Sequence, residues 1–187
     1  EKVGEYVVME NGISASKSGI DVLSVDAGKT TLLLKTGGTF YTAEVPHDQT
    51  SGELTAVTRF SINTTGVSLT TGAVLDVTGW TWQDCGYHDG RLYVPVCKGA
   101  STVVAVYSIL NEDGTVKSGA LSPDKDCSIQ IGDVNHRVVE VESCAVYDGK
   151  LYFNANRTLP DGGKDCDCVA WTALPPAPVI EKPDENP

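Results

Sequence analysis

The sequence predicts an all-β protein, and three observations lead to this prediction. No long stretch places apolar residues at helical spacing. Short runs rich in Val, Thr, Ile, Leu and Tyr are separated by glycines and Asp-Gly pairs, which is the pattern of strands joined by tight turns. One sequence segment, which we call the repeated line, also occurs in two similar copies, at residues 85–96 and 144–155. We therefore expect repeated antiparallel meanders and no helix longer than about two turns.

Composition narrows the class of protein. The 187 residues make one ordinary domain or two small ones, at roughly 150 residues per domain. A hydrophobic fraction of 41% supports a folded core. The formal charge of −11 and the lack of a basic run disfavour nucleic-acid binding. The longest strongly apolar run, residues 102–110, is far shorter than the roughly 18–20 residues of a membrane helix, so no membrane insertion is predicted.

The predicted strands follow one another with short connections. Tight hairpin turns are predicted at Asp89-Gly90, Asp113-Gly114 and Asp148-Gly149, because Asp-Gly favours the positive φ angles that such turns require. In chain order the candidate strands are EYVVME, IDVLSV, TTLLLKT, TFYTAEV, LTAVTRFSI, GRLYVPV, STVVAVYSI, RVVEVESCAVY, KLYFNAN and DCVAWTAL.

The repeated line is the strongest organising signal. CGYHDGRLYVPV and CAVYDGKLYFNA align without a gap, 59 residues apart. We expect the two Asp-Gly pairs to form equivalent hairpin turns, and we expect Leu92 and Leu151 to lie in equivalent cores.

The similarity extends beyond the two lines. Each is followed by a strand ending in an aromatic residue, Tyr107 in the first copy and Trp171 in the second. Residues 107–121 are similar to residues 60–74, and residues 22–34 are a weaker match. The pattern of strand, Asp-Gly turn, two strands, Gly turn and short strand predicts three units, at residues 20–78, 79–136 and 137–174.

Two parts of the sequence resemble known protein families. YDGKLYF, together with VYSI followed by Asp-Gly, resembles blades of kelch-like β-propellers in bacterial surface and phage proteins, over residues 79–174. Residues 30–49 are similar to bacterial group-2 Ig-like domains. The first resemblance implies propeller-like meanders; the alternative is an Ig-like β-sandwich plus a small meander domain.

The predicted organisation has three parts. Residues 1–78 form an N-terminal β unit, either an irregular repeat or Ig-like. Residues 79–174 carry two meander repeats. Residues 175–187 form a proline-rich tail or linker, since proline cannot donate to a sheet.

Residues with catalytic or metal-binding chemistry are few. His47, His88 and His136 have no partner at metal-ligand spacing, and Asp89 and Asp148 are explained by their turn positions. No nucleophile, phosphate-loop or dinucleotide motif occurs. We therefore predict that the chain is not an enzyme and has no catalytic, cofactor-binding or metal-binding residues.

Two acidic loops are the nearest approach to a cation site. Asp161, Asp165 and Asp167 lie in one loop, and clustered carboxylates could hold Ca²⁺, but their order does not match a calcium-loop motif. Asp124 and Asp126 are a weaker candidate.

Four aromatic residues lie close together in the sequence. Exposed aromatic rings stack on sugar rings, whereas buried ones fill a core. We expect core packing for these four, which are Trp80, Trp82, Tyr87 and Tyr93.

The six cysteines allow two interpretations. They could form up to three disulfides or remain reduced and buried as small hydrophobic residues. At least one disulfide is expected if the protein matures outside the cytosol. The cysteines are Cys85, Cys97, Cys127, Cys144, Cys166 and Cys168.

The resemblance to surface propellers implies a non-enzymatic extracellular or virion-surface module that self-assembles or binds a cell-surface glycan or protein. The alternative is an enzyme domain, a lyase or glycosidase, on a propeller-like scaffold. Propellers close with about four to eight blades, so three units should leave surfaces that another copy covers. The candidate surfaces are EYVVME, IDVLSV and the last strand with Trp171. Asn63 and Asn156 begin glycosylation sequons, which matter only in a eukaryotic secretory pathway.

Overall fold

The protein is built from strands. The computed structural model describes residues 6–10, 13–17, 19–36, 39–48, 54–132 and 135–177, and these ranges contain no helix. The predicted all-β class is therefore confirmed for this part of the chain. The strands are β1 (Tyr6–Glu10), β2 (Ile13–Lys17), β3 (Gly19–Val25), β4 (Lys29–Thr36), β5 (Thr39–Pro46), β6 (Thr55–Ile62), β7 (Gly66–Ser68), β8 (Val74–Asp76), β9 (Thr81–Trp82), β10 (Gly86–His88), β11 (Arg91–Lys98), β12 (Ser101–Ser108), β13 (Gly119–Leu121), β14 (Ile129–Gly132), β15 (Val138–Tyr147), β16 (Lys150–Thr158) and β17 (Cys168–Ala173).

Three antiparallel meanders make up most of the fold. In the first, β3, β4, β5 and β6 are neighbours in chain order, and β13 adds to β6 in parallel. In the second, the order is β10-β11-β12-β14, with β9 also paired to β11. In the third, the order is β15-β16-β17. The strand pairs β1-β2 and β7-β8 complete the described structure.

The two Asp-Gly pairs of the repeated line form equivalent hairpin turns, as predicted. Asp89 and Gly90 have φ angles of 46° and 74°, and Asp148 and Gly149 have φ angles of 47° and 67°. The flanking residues pair directly in both copies. Two consecutive positive φ angles are the signature of a two-residue turn that matches the twist of its strands.

The repeat extends through a β-bulge. In both copies the pairing with the strand after the turn slips by one residue before the turn, between Trp82 and Gly86 in the first copy and between Val141 and Ser143 in the second. Bulges bend a strand locally, so the two copies share curvature as well as pairing. Between the slip and the turn, Gly86 with Tyr93 matches Ala145 with Tyr152. On the other side of the slip, Trp82 with Val96 matches Val141 with Ala155.

The second meander is covered on both faces. Strands β11 and β12 are each buried along six consecutive residues. One face packs against the first meander, in a core that contains Leu92, Phe40 and Phe60, whose rings stack 5.2 Å apart. The other face packs against the third meander, in a core that contains Tyr93 and Leu151. Leu92 and Leu151 are both fully buried, each on the side of its sheet that faces the preceding meander, which confirms their predicted equivalence.

The predicted equivalence of Tyr107 and Trp171 is wrong. Tyr107 pairs with Leu92, whereas the residue paired with Leu151 is Thr172, not Trp171. A one-residue difference in register places a side chain on the opposite face of a sheet. Tyr107 is accordingly buried and Trp171 is exposed.

A glycine turn recurs three times, after β7, β12 and β16. Residues 69–73, 111–115 and 159–163 have the same two backbone hydrogen bonds, and the glycines at 72, 114 and 162 all have positive φ. This is a three-residue hairpin loop closed by a bulge. The turn predicted at Asp113-Gly114 is confirmed as one of them.

The first core crosses the predicted boundary between residues 78 and 79, because side chains from both sides share it. The proline-rich segment begins on the body of the protein, where Pro175 is buried and Arg91 donates hydrogen bonds to the carbonyls of Pro175 and Pro176, at 3.3 and 2.8 Å. The rest of the predicted tail, from residue 178, lies outside the described residues. In the described part of the chain, no helix has the length and apolar character needed to cross a membrane.

Candidate functional site

The outer face of the third meander is apolar and uncovered. Tyr147, Val169 and Trp171 are 74%, 77% and 57% exposed. The pairing places all three on one face of the sheet, opposite to the face of Leu151. The Lys150 ammonium lies 4.2 Å from the centre of the Trp171 ring. We call this surface, defined by Tyr147, Val169, Trp171 and the adjacent Tyr152, the outer face.

A second feature is an open cleft of about 550 Å³ beside the first meander. The faces of β3 to β6 form its floor, and the turn at residues 111–115 lies at its rim. The residues that line it include Ser24, Asp26, Lys29, Thr31, Thr42, Glu44, Ala56, Thr58, Tyr87, Asp113 and Thr115. We call this feature the cleft.

The floor of the cleft continues the face that carries the first core. Leu33 pairs with Thr42, and Thr42 pairs with Thr58, so these side chains share one face. Where the second meander covers this face the residues are apolar, as at Phe40 and Phe60. Where it is uncovered, hydroxyl groups replace them. The change from apolar to hydroxyl-bearing residues therefore follows the edge of the covering sheet.

The charged groups of the cleft are fixed by short contacts. Lys29 Nζ donates to Glu44 Oε1 at 2.5 Å, and this hydrogen bond raises the pKa of Lys29. Asp113 Oδ1 accepts the Thr115 hydroxyl at 2.6 Å and the Thr115 amide at 2.9 Å, and these bonds lower the pKa of Asp113. Both groups are ionised at neutral pH.

Strained backbone also lines the cleft. Ala56 has a φ of 49°, at the point where the pairing of β5 with β6 slips between Thr42 and Glu44. Among the described residues, the other non-glycine positions with positive φ are all Asp, which tolerates this region better than Ala does.

The three histidines lie far apart in the fold. His88 is exposed at the end of β10, and His47 Nε2 lies 2.9 Å from the Thr30 hydroxyl. The His136 side chain is 8% exposed and its Nε2 lies 2.7 Å from Asp165 Oδ2. His136 is the only one of the three placed against a carboxylate among the described contacts.

The acidic loop at residues 161–167 is not arranged as a calcium site. Asp161 Oδ1 accepts the Gly163 amide, whereas Asp165 faces His136 and Arg157. The hydrogen bond with His136 is the main reason that the pKa of Asp165 is lowered. Within the described residues no three His, Cys, Asp or Glu side chains come together in a way that could hold a metal ion.

The second acidic pair, Asp124 and Asp126, makes hydrogen bonds that connect parts of the fold. Asp124 accepts the amide and hydroxyl of Ser108 and lies 3.5 Å from Arg91 Nε. Asp126 accepts the hydroxyl of Ser68 at 2.5 Å. These contacts join the loop after β13 to β7 and β12.

The four clustered aromatic residues pack into cores, as predicted, but not into one core. Trp80, Trp82 and Tyr87 pack against the first core, whereas Tyr93 lies in the second, on the opposite face of β11. Tyr87 also lines the cleft.

All six cysteines are free thiols, so the structure gives no support to the predicted disulfide. Buried thiols donate to backbone carbonyls: Cys144 to Tyr93 at 3.0 Å, and Cys97 to Val141 at 3.6 Å. Burial raises the pKa of the Cys97 thiol, which keeps it neutral. Cys166 is exposed, with Arg157 Nη2 at 2.9 Å from its sulfur. Cys85 and Cys144 line a cavity of about 270 Å³ where the three meanders meet.

The sequence did not indicate the cleft. Threonines occur on each of the three neighbouring strands β4, β5 and β6, but which of them share a face is known only once the register is known. The sequon residues Asn63 and Asn156 are both exposed.

No protein-family model matches the chain, and no curated protein sequence matches it.

Proposed function

We propose that this chain is a non-enzymatic module of propeller-like meanders, located outside a cell or on a virion, that works as an assembly of copies. The location rests on the resemblance of the repeated line to blades of bacterial surface and phage proteins. The assembly rests on one observation, which is the uncovered apolar outer face.

The repeat indicates what should cover this face. In the second meander, Tyr93 pairs with Val106, and the third meander buries both. The equivalent pair in the third meander is Tyr152 with Trp171. The same positions are therefore covered by a sheet in one copy of the repeat and exposed to water in the next.

The proposed occupant is a second copy of this chain, because a β-sheet of the same type already covers the equivalent face. Burying large apolar side chains contributes about 1.5–3 kcal/mol for each residue. The net charge of −11 makes copies repel one another. Association should therefore become stronger as salt screens this repulsion.

Light scattering on the purified chain tests the proposal. The wild-type protein should have a mass that is a multiple of 19.8 kDa, and this mass should persist or grow as salt is added. Trp171→Asp should return the mass to that of a monomer, because it places a charge in the buried contact. Val74→Asp is the matched control, since Val74 is 77% exposed but lies on β8, away from the outer face. It should leave the assembly unchanged.

Circular dichroism of both variants separates loss of assembly from loss of folding. A monomeric Trp171→Asp protein with the wild-type β spectrum supports the proposal. A wild-type protein that stays monomeric at about 100 μM, well above a dissociation constant of about 1 μM, refutes it.

A further inference from the structure

We propose that the cleft binds a neutral saccharide. This site is formed by the first two meanders, so it does not depend on assembly through the outer face.

Thr42 places a hydroxyl group where a ligand in the cleft can reach it. It is only 2% exposed, lies on the floor of the cleft, and makes no side-chain hydrogen bond to any described residue. Among the described residues, the buried side-chain atoms without a hydrogen-bond partner are Arg91 Nε and Ser128 Oγ, not the Thr42 hydroxyl. The Thr42 hydroxyl therefore reaches the solvent of the cleft, where a ligand hydroxyl could replace water as its partner.

The walls offer what a sugar ring requires. Tyr87 supplies an aromatic ring, and its hydroxyl accepts the Gly90 amide at 3.1 Å, which fixes the ring in place. Aromatic rings bind the apolar C–H faces of sugars by packing. The hydroxyls of Ser24, Thr31 and Thr58 surround Thr42 on the same face, and each can both donate and accept a hydrogen bond.

Charge narrows the ligand class. The lining carries three carboxylates, Asp26, Glu44 and Asp113, against one ammonium, Lys29. A net negative lining repels phosphates and acidic sugars. Both bonds from Thr115 to Asp113 end on Oδ1, which leaves Oδ2 to accept a ligand hydroxyl. A volume of about 550 Å³ lies within the roughly 300–1,000 Å³ of small-ligand sites. The fit is to a neutral mono- or disaccharide.

Saturation-transfer NMR on the intact chain is the test, because it detects weak ligands on a protein of any assembled size. The probes are cellobiose, maltose, lactose and N,N′-diacetylchitobiose at about 20 mM, above a dissociation constant of about 1 mM. At least one should receive saturation, strongest at the ring C–H protons that pack on Tyr87. The absence of transfer to all four sugars refutes the proposal.

Substitutions locate the site. Thr42→Val should weaken binding about tenfold or more while the melting temperature changes little, because this hydroxyl makes no hydrogen bond to a described residue. Thr58→Val, on the next strand, gives a second test if the first variant does not fold. Thr172→Val is the matched control on β17, outside the cleft, and should bind as the wild type does. Equal binding by the folded Thr42→Val or Thr58→Val protein and the wild type places the sugar elsewhere and refutes the assignment.

Discussion

Gly86 lies where the backbones of the two copies of the repeat come close together, and replacing it tests how the meanders pack. An ideal Cβ built on Gly86 would lie within 3.0 Å of the Cys144 carbonyl oxygen, closer than Cβ atoms approach in real structures, and 3.3 Å from the Ala145 Cα. The obstacle is backbone, so no side chain can turn away to make room. Gly86→Ala must therefore push β10 and β15 apart.

The structure sets the size of the effect. Overpacking costs about 1–3 kcal/mol. Separation also stretches the hydrogen bond from the Asp84 amide to the Glu142 carbonyl, now 3.0 Å, which contributes about 1 kcal/mol. Alanine also has a lower conformational entropy than glycine in the unfolded chain, which offsets about 0.5–1 kcal/mol of this loss of stability. The free energy of unfolding should fall by about 2 kcal/mol, equivalent to a melting temperature about 4–8 °C lower.

Urea unfolding followed by circular dichroism measures this change. Gly28→Ala is the matched control, because a Cβ at Gly28 meets nothing within 4 Å and the residue is not in the left-handed region. That variant should change stability by no more than about 0.5 kcal/mol. If Gly86→Ala is as stable as Gly28→Ala, the contact between the second and third meanders is not as close as described.

Three further predictions concern strain, pH and thiols. Ala56→Gly should raise the free energy of unfolding by about 0.5–1 kcal/mol, because relief of the left-handed strain exceeds the entropy cost of glycine; a lower urea midpoint would contradict this. The pKa of Asp165 is lowered from its ordinary value of 3.8, so its contribution to stability is present above that pH and is lost as the pH falls through the lowered pKa. Asp165→Asn should therefore make the free energy of unfolding less pH-dependent between about pH 5 and pH 2. An unchanged pH profile would show that the pairing of Asp165 with His136 is not formed. In the native protein the exposed Cys166 should react with Ellman's reagent before the buried thiols do. Unfolding the protein without a reductant should make all six thiols reactive. Fewer than six reactive thiols would show a disulfide, which maturation in an oxidising compartment favours.

The parts of the fold that the sequence predicted are those determined by local backbone chemistry. Asp89-Gly90 and Asp148-Gly149 form their turns because few residues other than Gly, Asn and Asp accept the required φ angles. The burial of Leu92 and Leu151 follows, because a fixed turn sets the alternation of both strands.

The error at Tyr107 and Trp171 shows where such reasoning fails. The loop between β16 and β17 differs in length from the connection between β11 and β12, so the offset between copies changes from 59 to 65 residues. Aligning the aromatic residues instead gives an offset of 64, and one residue is enough to exchange the two faces of a strand. Loop length is not constrained by the pattern that identifies strands.

The oxidation state of the cysteines could not be predicted from the sequence for a different reason. An even count permits both disulfides and reduced thiols, and the choice depends on which side chains the fold brings together. Cys144 and Cys97 have backbone carbonyls as partners, and these come from distant strands. Likewise Thr42 is an ordinary strand threonine until the register places it against Thr58.

The outer face and the cleft lie on different meanders, and this separation gives the two proposals a joint consequence. Binding of a single sugar in a shallow, open cleft is weak, in the millimolar range. An assembly that joins copies through Trp171 leaves each cleft open, so several clefts would face a glycan-coated surface together. Linked weak sites gain about 10²–10⁴ in overall affinity when the geometry lets them engage at once. Assembly would thus turn a weak sugar contact into firm attachment, which provides a functional reason for an apolar face that the monomer leaves exposed to water.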